Sequence, residues 1–289
     1  MKRSTAAHNY GEKVIKALPL HILGVDFSGA KHAGKKIWIA IGKRNPSGLT
    51  INKCVRVSDM ERGAKTTDAA MCALGQCVLR HSPCVVGFDF PFSLPAEFIR
   101  EPNWIAFLRN FAQTHTNADS FRSHCAAMAN GHERKRKTDT AQRTPFSPYN
   151  LRLFKQTYYG VRDVLRPLVL EHGCSAPPMA PAKQPLGNTT ILLEVCPAST
   201  LRAEGLDRPY KMKNAEGLDA RCQLFEALLR RKLVSAASPD VRNVCVQDSE
   251  GDALDSVIAA AAAFRAKSES LTQALPPNAP ERLEGRVFV

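Results

Sequence analysis

Two short apolar runs in this chain each carry one aspartate near the end. The runs at 21–27 (HILGVDF) and 84–90 (CVVGFDF) have the length and composition of buried strands, and a turn or a proline stops each of them. Asp26 and Asp89 occupy equivalent places in the two runs. Because an ionised carboxylate is costly to remove from water without a partner, this pair predicts a functional site. The alternative role for such a pair is capping or turn stabilisation.

The order of elements around these runs constrains the fold. Strand-like segments at 36–42 and 49–57 follow the first run, with a turn typical of a hairpin between them, and an Ala- and Leu-rich helix is predicted at 68–80. This order predicts an antiparallel meander of strands one to three. The helix then returns the chain to a fourth strand parallel to strand one. The later predicted elements are a strand at 190–196, helices at 218–234 and 251–267, and a terminal strand at 286–289.

A segment of different character interrupts this pattern. Residues 96–188 contain helical periodicity at 96–115 and 151–170, a polar and basic stretch between them, and a proline-rich loop at 174–188. We therefore predict a basic leader at 1–18 and a single α/β domain at 19–289 that carries this insertion.

Three further acids extend the candidate site. Glu194 lies in an apolar strand, although an edge strand would turn it towards solvent. Asp252 and Asp255 are three residues apart, so they share one face of the predicted helix. Asp252 has a second interpretation as part of a capping box with Ser249, which makes Asp255 the stronger candidate.

Converging carboxylates repel one another unless a multivalent cation neutralises them. Oxygen ligands of this kind suit Mg²⁺ or Mn²⁺. Two such ions about 4 Å apart can activate water and stabilise the leaving oxygen of a phosphodiester. The acids therefore predict a metal site for phosphate chemistry, with Asp26 and Asp89 between two ions.

The charge balance favours a polyanionic partner. Forty Lys and Arg against 27 Asp and Glu give a formal net charge of +13. The candidates for contact with a nucleic-acid backbone are Lys31, Lys35, Lys36, Arg134, Lys135, Arg136 and Lys137. The alternative is that the run at 134–137 is only a solvated basic loop.

Cysteine usage and hydropathy bear on the compartment. Nine cysteines without a C-x-x-C pair fit a reducing environment better than a disulfide framework. The sequence contains no apolar run long enough to predict a membrane span. We therefore expect a cytoplasmic protein with no membrane partner.

Five segments in order resemble an uncharacterised family of predicted ribonuclease-H-like nucleases, of the domain-of-unknown-function-429 type. They are GVDFSGA (24–30), VGFDFPFSLP (86–95), LLEVCPAST (192–200), GDALDSVIAA (251–260) and EGRVFV (284–289). The resemblance implies a ribonuclease-H-like mixed five-stranded sheet flanked by helices, with strands 1–3 antiparallel and strands 4 and 5 parallel to strand 1.

The resemblance also implies roles for particular residues. It assigns the site acids to Asp26, Asp89, Asp252 and Asp255, while Glu194 matches the strand-five motif of the family. The D-x-x-D helix is similar to that of bacterial Holliday-junction resolvases. The basic part of the insertion, at about 117–150, departs from the family pattern, so the resemblance does not identify the substrate.

Three functions follow as hypotheses. The first is a Mg²⁺- or Mn²⁺-dependent nuclease that hydrolyses DNA or RNA. The second is an actin-like or sugar-kinase-like phosphotransferase, because Asp26-Phe-Ser-Gly29 resembles the phosphate turn of that group. Against it, Asp89 is followed by Phe90-Pro-Phe92, without a glycine to admit a phosphate. The third is a non-catalytic nucleic-acid-binding protein of the same fold.

Overall fold

The protein is a mixed α/β structure built on one sheet. A computed structural model describes residues 18–61, 63–182 and 185–289. The predicted leader at 1–18 lies outside the described residues except for Leu18, which is buried. The strands are β1 (His21–Asp26), β2 (Trp38–Asn45), β3 (Gly48–Arg56), β4 (Cys84–Phe88), β5 (Ile191–Val195), β6 (Ala236–Ala237) and β7 (Val287–Phe288).

The centre of the sheet has the predicted topology. The strand order is β6-β3-β2-β1-β4-β5-β7. β1 is antiparallel to β2, and β2 is antiparallel to β3. β4 is parallel to β1, and β5 is parallel to β4. The helix predicted at 68–80 is observed at Thr67–Arg80, where it connects β3 to β4.

The predicted number of strands is wrong, since the sheet has seven strands rather than five. The two additional strands lie at the edges, where β6 pairs with β3 and β7 pairs with β5, both in parallel. Each is only two residues long. β7 lies within the terminal strand predicted at 286–289, whereas β6 is too short for any periodicity to predict it.

Helices cover both faces of the sheet. In the first part of the chain they are α1 (Val57–Met60), α2 (Thr67–Arg80), α3 (Trp104–Thr114), α4 (Ala118–Met128), α5 (Lys137–Ala141), α6 (Phe154–Tyr159) and α7 (Arg166–Leu170). In the second part they are α8 (Pro197–Ala203), α9 (Ala215–Arg230), α10 (Pro239–Gln247), α11 (Asp252–Arg265), α12 (Ser268–Thr272) and α13 (Glu281–Glu284). A π-helical turn at Gly160–Leu165 joins α6 to α7, and 3-10 turns lie at Ala33–Lys35, Ala96–Phe98 and Leu186–Asn188.

Two hydrophobic cores form because side chains alternate along each strand. In β1, Leu23 and Val25 belong to the core beneath α2 and the insertion. Ile22 belongs to the second core, which contains the apolar face of α11. The sheet therefore separates an insertion face from an α11 face.

The insertion contains a helix that the sequence analysis did not predict. Asn117 caps α4 through its side chain, which accepts a hydrogen bond from the backbone N–H of Ser120 at 2.8 Å. Phe121 and Cys125 on this helix are buried in the insertion core. Among the described residues, no helix combines the length and apolar character that crossing a bilayer requires.

Candidate acidic site

Asp26 and Asp89 lie beside each other at the ends of the central strands β1 and β4, and we call this end of the sheet the acidic edge. Asp26 is the last residue of β1, and Asp89 directly follows the neighbouring parallel strand β4. The backbone N–H of Asp89 donates to the carbonyl oxygen of Val25 at 3.0 Å, which extends the pairing beyond β4. The alternation along each strand assigns both aspartates to the α11 face.

The N-terminus of α11 brings two more carboxylates to this edge. Asp252 is the first residue of the helix, and Asp255 lies one turn later and is buried. The capping role predicted for Ser249 is wrong. Gly251 is the N-cap residue, with a φ of 77°, and the carboxylate that receives the N–H of Ala253, at 2.9 Å, is that of Asp248.

The electrostatics of the site reflect four carboxylates in one place. Burial, followed by the charges of Asp252 and Asp255, raises the pKa of Asp26 well above its usual value. Burial and the charge of Asp255 raise the pKa of Asp89 to about 8. Burial also raises the pKa of Asp252, although Lys211 opposes the shift. The raised pKa values mean that these four carboxyls are not all readily ionised together with Lys211 as their cation contact.

Lys211 is the cation that sequence reasoning missed. Its Nζ lies 2.6 Å from Oδ2 of Asp255 and 3.3 Å from Oδ1 of Asp252. Burial alone would lower the pKa of Lys211, but the charges of Asp255, Asp26 and Asp252 outweigh it and raise the pKa. Lys211 therefore compensates part of the charge of the acids.

Tyr210 was also missed, and its hydroxyl donates to Oδ1 of Asp255. The segment that carries both residues is held by the buried Arg221. Its Nη1 donates to the carbonyl oxygens of Tyr210 at 2.7 Å and Met212 at 2.9 Å. Tyr210 and Lys211 lie between α8 and α9, in a stretch with no periodicity or motif to mark it.

Glu194 faces the opposite side of the sheet from Asp26 and Asp89. In the β4–β5 register it pairs with Phe88, whose side chain is in the insertion core. Its carboxylate forms a buried ion pair with Arg136, in which Nη1 donates to Oε2 at 2.8 Å and Nη2 donates to Oε1. Oε2 also accepts from the backbone N–H of Phe92 at 2.9 Å. Glu194 thus has its charge compensated by protein groups.

The predicted basic residues separate into two groups. Arg136 is only 1% exposed, so its guanidinium is not available to a nucleic-acid backbone, contrary to the prediction. Arg134 is exposed and ion-paired with Glu97 at 2.8 Å, while Nζ of Lys135 donates to the carbonyl oxygen of Thr144 at 2.6 Å. The side chains that remain exposed as predicted are those of Lys31, Lys35, Lys36, Arg134, Lys135 and Lys137.

A cleft of about 260 Å³ opens beside the acids. Asp89, Asp255 and Lys211 line it, and residues of the insertion, including Phe146 and Arg152, contribute a further wall. The Arg136–Glu194 pair also lines the cleft. Two of the four clustered carboxylates are thus accessible to a small group that enters it.

The donor chemistry of the site fits a hard divalent cation, because carboxylate oxygens are the ligands that Mg²⁺ and Mn²⁺ take. In the structure Lys211 contacts carboxylate oxygens of Asp252 and Asp255, and Tyr210 donates to Asp255. Within residues 18–61, 63–182 and 185–289, no group of three or more His, Cys, Asp or Glu side chains is already arranged to hold a metal ion. Cation binding would therefore replace contacts of Lys211 or Tyr210.

Comparisons of the chain with protein-family models, with curated proteins and with solved structures found no match.

Proposed function

We propose that the protein is a nuclease of the ribonuclease-H-like class that hydrolyses phosphodiester bonds with two Mg²⁺ or Mn²⁺ ions. The observation that carries the proposal is the convergence of Asp26, Asp89, Asp252 and Asp255 from three elements, with Lys211 as their cation contact. A cluster of mutually repelling carboxyls that offers oxygen donors favours a divalent cation, which would stabilise their ionised forms. The topology at the centre of the sheet is the one that the family resemblance implies.

The chain's own residues have distinct roles in this proposal. Asp26, Asp89, Asp252 and Asp255 would hold the ions, which when bound supply positive charge that stabilises phosphodiester oxygens and favours attack by water. Tyr210 orients Asp255 through its hydroxyl. Lys211 compensates the remaining charge, and its ammonium is close enough to the cleft to contact a phosphate oxygen.

The net charge of +13 supports a polyanionic substrate for this site. Exposed Lys35 and Lys36 precede β2, whose first residue, Trp38, pairs with Asp26. These lysines therefore lie at the same end of β1 as the acids, where they would contact the substrate backbone.

The test is cleavage of labelled single-stranded, duplex, hybrid and branched DNA and RNA by the full chain, with Mg²⁺, with Mn²⁺ and with EDTA. Cleavage should require the metal and should fall at least a hundredfold in Asp26→Asn and Asp89→Asn, because the removed carboxylate no longer contributes to ion binding. Asp219→Asn is the matched control, since Asp219 is an exposed aspartate on α9.

Metal binding has a separate readout. Mn²⁺ should raise the melting temperature of the wild type and leave an Asp26→Asn/Asp89→Asn variant unchanged. Cleavage that persists in EDTA and in both single variants would refute the two-metal proposal. Nucleic-acid binding without cleavage by the wild type would instead support the non-catalytic alternative.

A further inference from the structure

The wall of the cleft that the insertion contributes contains an aromatic ring and an arginine. Phe146 is partly exposed there, and the Arg152 guanidinium carbon lies 5.5 Å from the centroid of its ring. Arg152 is exposed, and in the described part of the chain it forms no ion pair with an acidic side chain. A partly exposed aromatic ring and a guanidinium without an acidic partner therefore line the same cleft as Asp89 and Asp255.

This wall is held in place by contacts to the rest of the fold. Thr144 Oγ1 donates to Asp139 Oδ1 at 3.1 Å, and the backbone N–H of Arg152 donates to Asn150 Oδ1 at 2.8 Å. On the next helix, Gln156 Nε2 donates to the carbonyl oxygen of Phe27, one residue after Asp26. The backbone that carries Phe146 and Arg152 is thus braced within the insertion and, through Gln156, tied to the end of β1.

The size of the cleft limits what can reach the acids. Pockets for small ligands usually measure about 300–1,000 Å³, and this one is about 260 Å³. It has room for a group of about the size of one nucleotide unit. A base that is paired within a duplex must leave its stack to enter, which costs free energy and costs least for a base that is already single-stranded.

We infer that the cleft binds one nucleotide unit of a single strand, with its base stacked on Phe146 and a phosphate beside Arg152, in preference to duplex. This inference rests on the proposed function, because the acids that the strand would reach are those of the nuclease site. Every base presents a face that can stack on an aromatic ring, and arginine contacts both phosphate and base. The inferred substrate class is single-stranded nucleic acid without strong sequence preference.

Fluorescence anisotropy tests the inference by binding, with EDTA present so that no metal-dependent cleavage consumes the probe. The probes are a labelled dodecamer of thymidine and a blunt duplex of the same length. The single strand should bind at least about tenfold more tightly than the duplex, and Phe146→Leu should weaken single-strand binding by about tenfold. Arg152→Gln should weaken the same binding several-fold.

The chain offers a matched control for each variant. Phe264 is another partly exposed phenylalanine with an arginine over its ring, Arg44 at 4.3 Å, and it lies near the end of α11 remote from Asp252. Phe264→Leu should therefore leave single-strand affinity unchanged. Arg109→Gln, at an exposed position on α3, removes the same charge as Arg152→Gln outside the cleft.

Equal affinity for the two probes, or a loss in Phe146→Leu no larger than that in Phe264→Leu, would overturn the inference. The failure of the nuclease proposal has a different signature. Phe146-dependent binding of the single strand without any cleavage in Mg²⁺ or Mn²⁺ would support this inference and refute the nuclease proposal. Metal-dependent cleavage of blunt duplex that is unchanged in Phe146→Leu would support the nuclease proposal and overturn this inference.

Discussion

Arg136 uses all five of its N–H donors inside the protein. Nε and Nη2 donate to the carboxylate of Asp139, Nη1 and Nη2 donate to Glu194, and Nη1 also donates to the carbonyl oxygen of Glu284. Burial alone would lower the pKa of Arg136, but its two carboxylate partners outweigh burial and raise the pKa. The network joins the insertion to β5 and to the C-terminal segment, and its side chains line the cleft.

Replacing this arginine should therefore be costly. In Arg136→Met, Glu194 and Asp139 are left buried without a cation, and breaking a buried pair in this way costs about 3–5 kcal/mol of unfolding free energy. Urea denaturation of the two proteins measures the difference. The control is Arg134→Met, two residues earlier, because the exposed pair of Arg134 with Glu97 should contribute less than about 1 kcal/mol.

A double variant tests the cause of the loss. Arg136→Met/Glu194→Gln removes one of the uncompensated charges, so it should be more stable than Arg136→Met alone. If Arg136→Met and Arg134→Met lost the same unfolding free energy, the network of Arg136 would not support the structure around the cleft.

Two glycines allow α11 to lie directly on the sheet. A Cβ atom at Gly24 of β1 would collide with the backbone of Ser256 and Ala260, and one at Gly87 of β4 would lie 2.5 Å from the carbonyl oxygen of Ala259. These contacts are with backbone atoms, which cannot move without shifting the helix. The close approach places the first turn of α11, with Asp252 and Asp255, beside the ends of β1 and β4.

Gly24→Ala should consequently destabilise the protein and displace the acids of α11. Overpacking of this kind costs about 1–3 kcal/mol, measured as a lower urea midpoint with an unchanged slope. Gly75→Ala is the control. Gly75 lies inside α2 with open space around its Cα, so alanine there should stabilise the protein by about 0.5–1 kcal/mol. A Gly24→Ala variant as stable as the wild type would contradict the close packing of α11 on β1.

The same elements show how far sequence reasoning reached. Apolar runs that end in turns predicted β1, β4 and β5, and the spacing of Asp252 and Asp255 predicted a shared helical face; these elements are confirmed. The face to which Glu194 points was beyond prediction, because β5 is buried on both sides and its sequence has no alternation to assign a face. The pairing of Glu194 with Phe88 decides it.

The positions of side chains in irregular segments could also not be predicted from the sequence. Tyr210 and Lys211 approach the acids only because Arg221, on α9, holds their backbone. Phe146 and Arg152 reach the cleft from turns of the insertion: Arg152 falls in the stretch predicted to be helical at 151–170, but the helix begins only at Phe154. Tertiary contacts rather than local pattern determine where these four side chains lie.

On the scale of the whole molecule, a net charge of +13 coexists with an acidic cluster. The positive charge near the cluster includes Lys35 and Lys36, which precede β2 at the end of β1 that carries Asp26. Lys213, and to a smaller extent Lys36, lowers the pKa of Glu250, which is two residues before Asp252, so the charge of Lys36 acts at the acidic edge. Lys43 pairs with His21 at the other end of β1.

This distribution makes the salt dependence of binding a test of where the nucleic acid lies. For a single strand, the logarithm of the association constant falls with the logarithm of salt concentration by about 0.7 per phosphate contact. Lys35→Gln/Lys36→Gln should therefore reduce the magnitude of this slope by about 1.4, because two contacts are lost.

Lys43→Gln/Lys267→Gln is the control, because it removes the same charge at the opposite end of β1 and beyond the C-terminus of α11. Since long-range attraction depends on total charge while counterion release depends on contacts, the control pair should lower affinity slightly without changing the slope. Equal slopes for the two double variants would mean that the strand does not cross the acidic edge of the sheet.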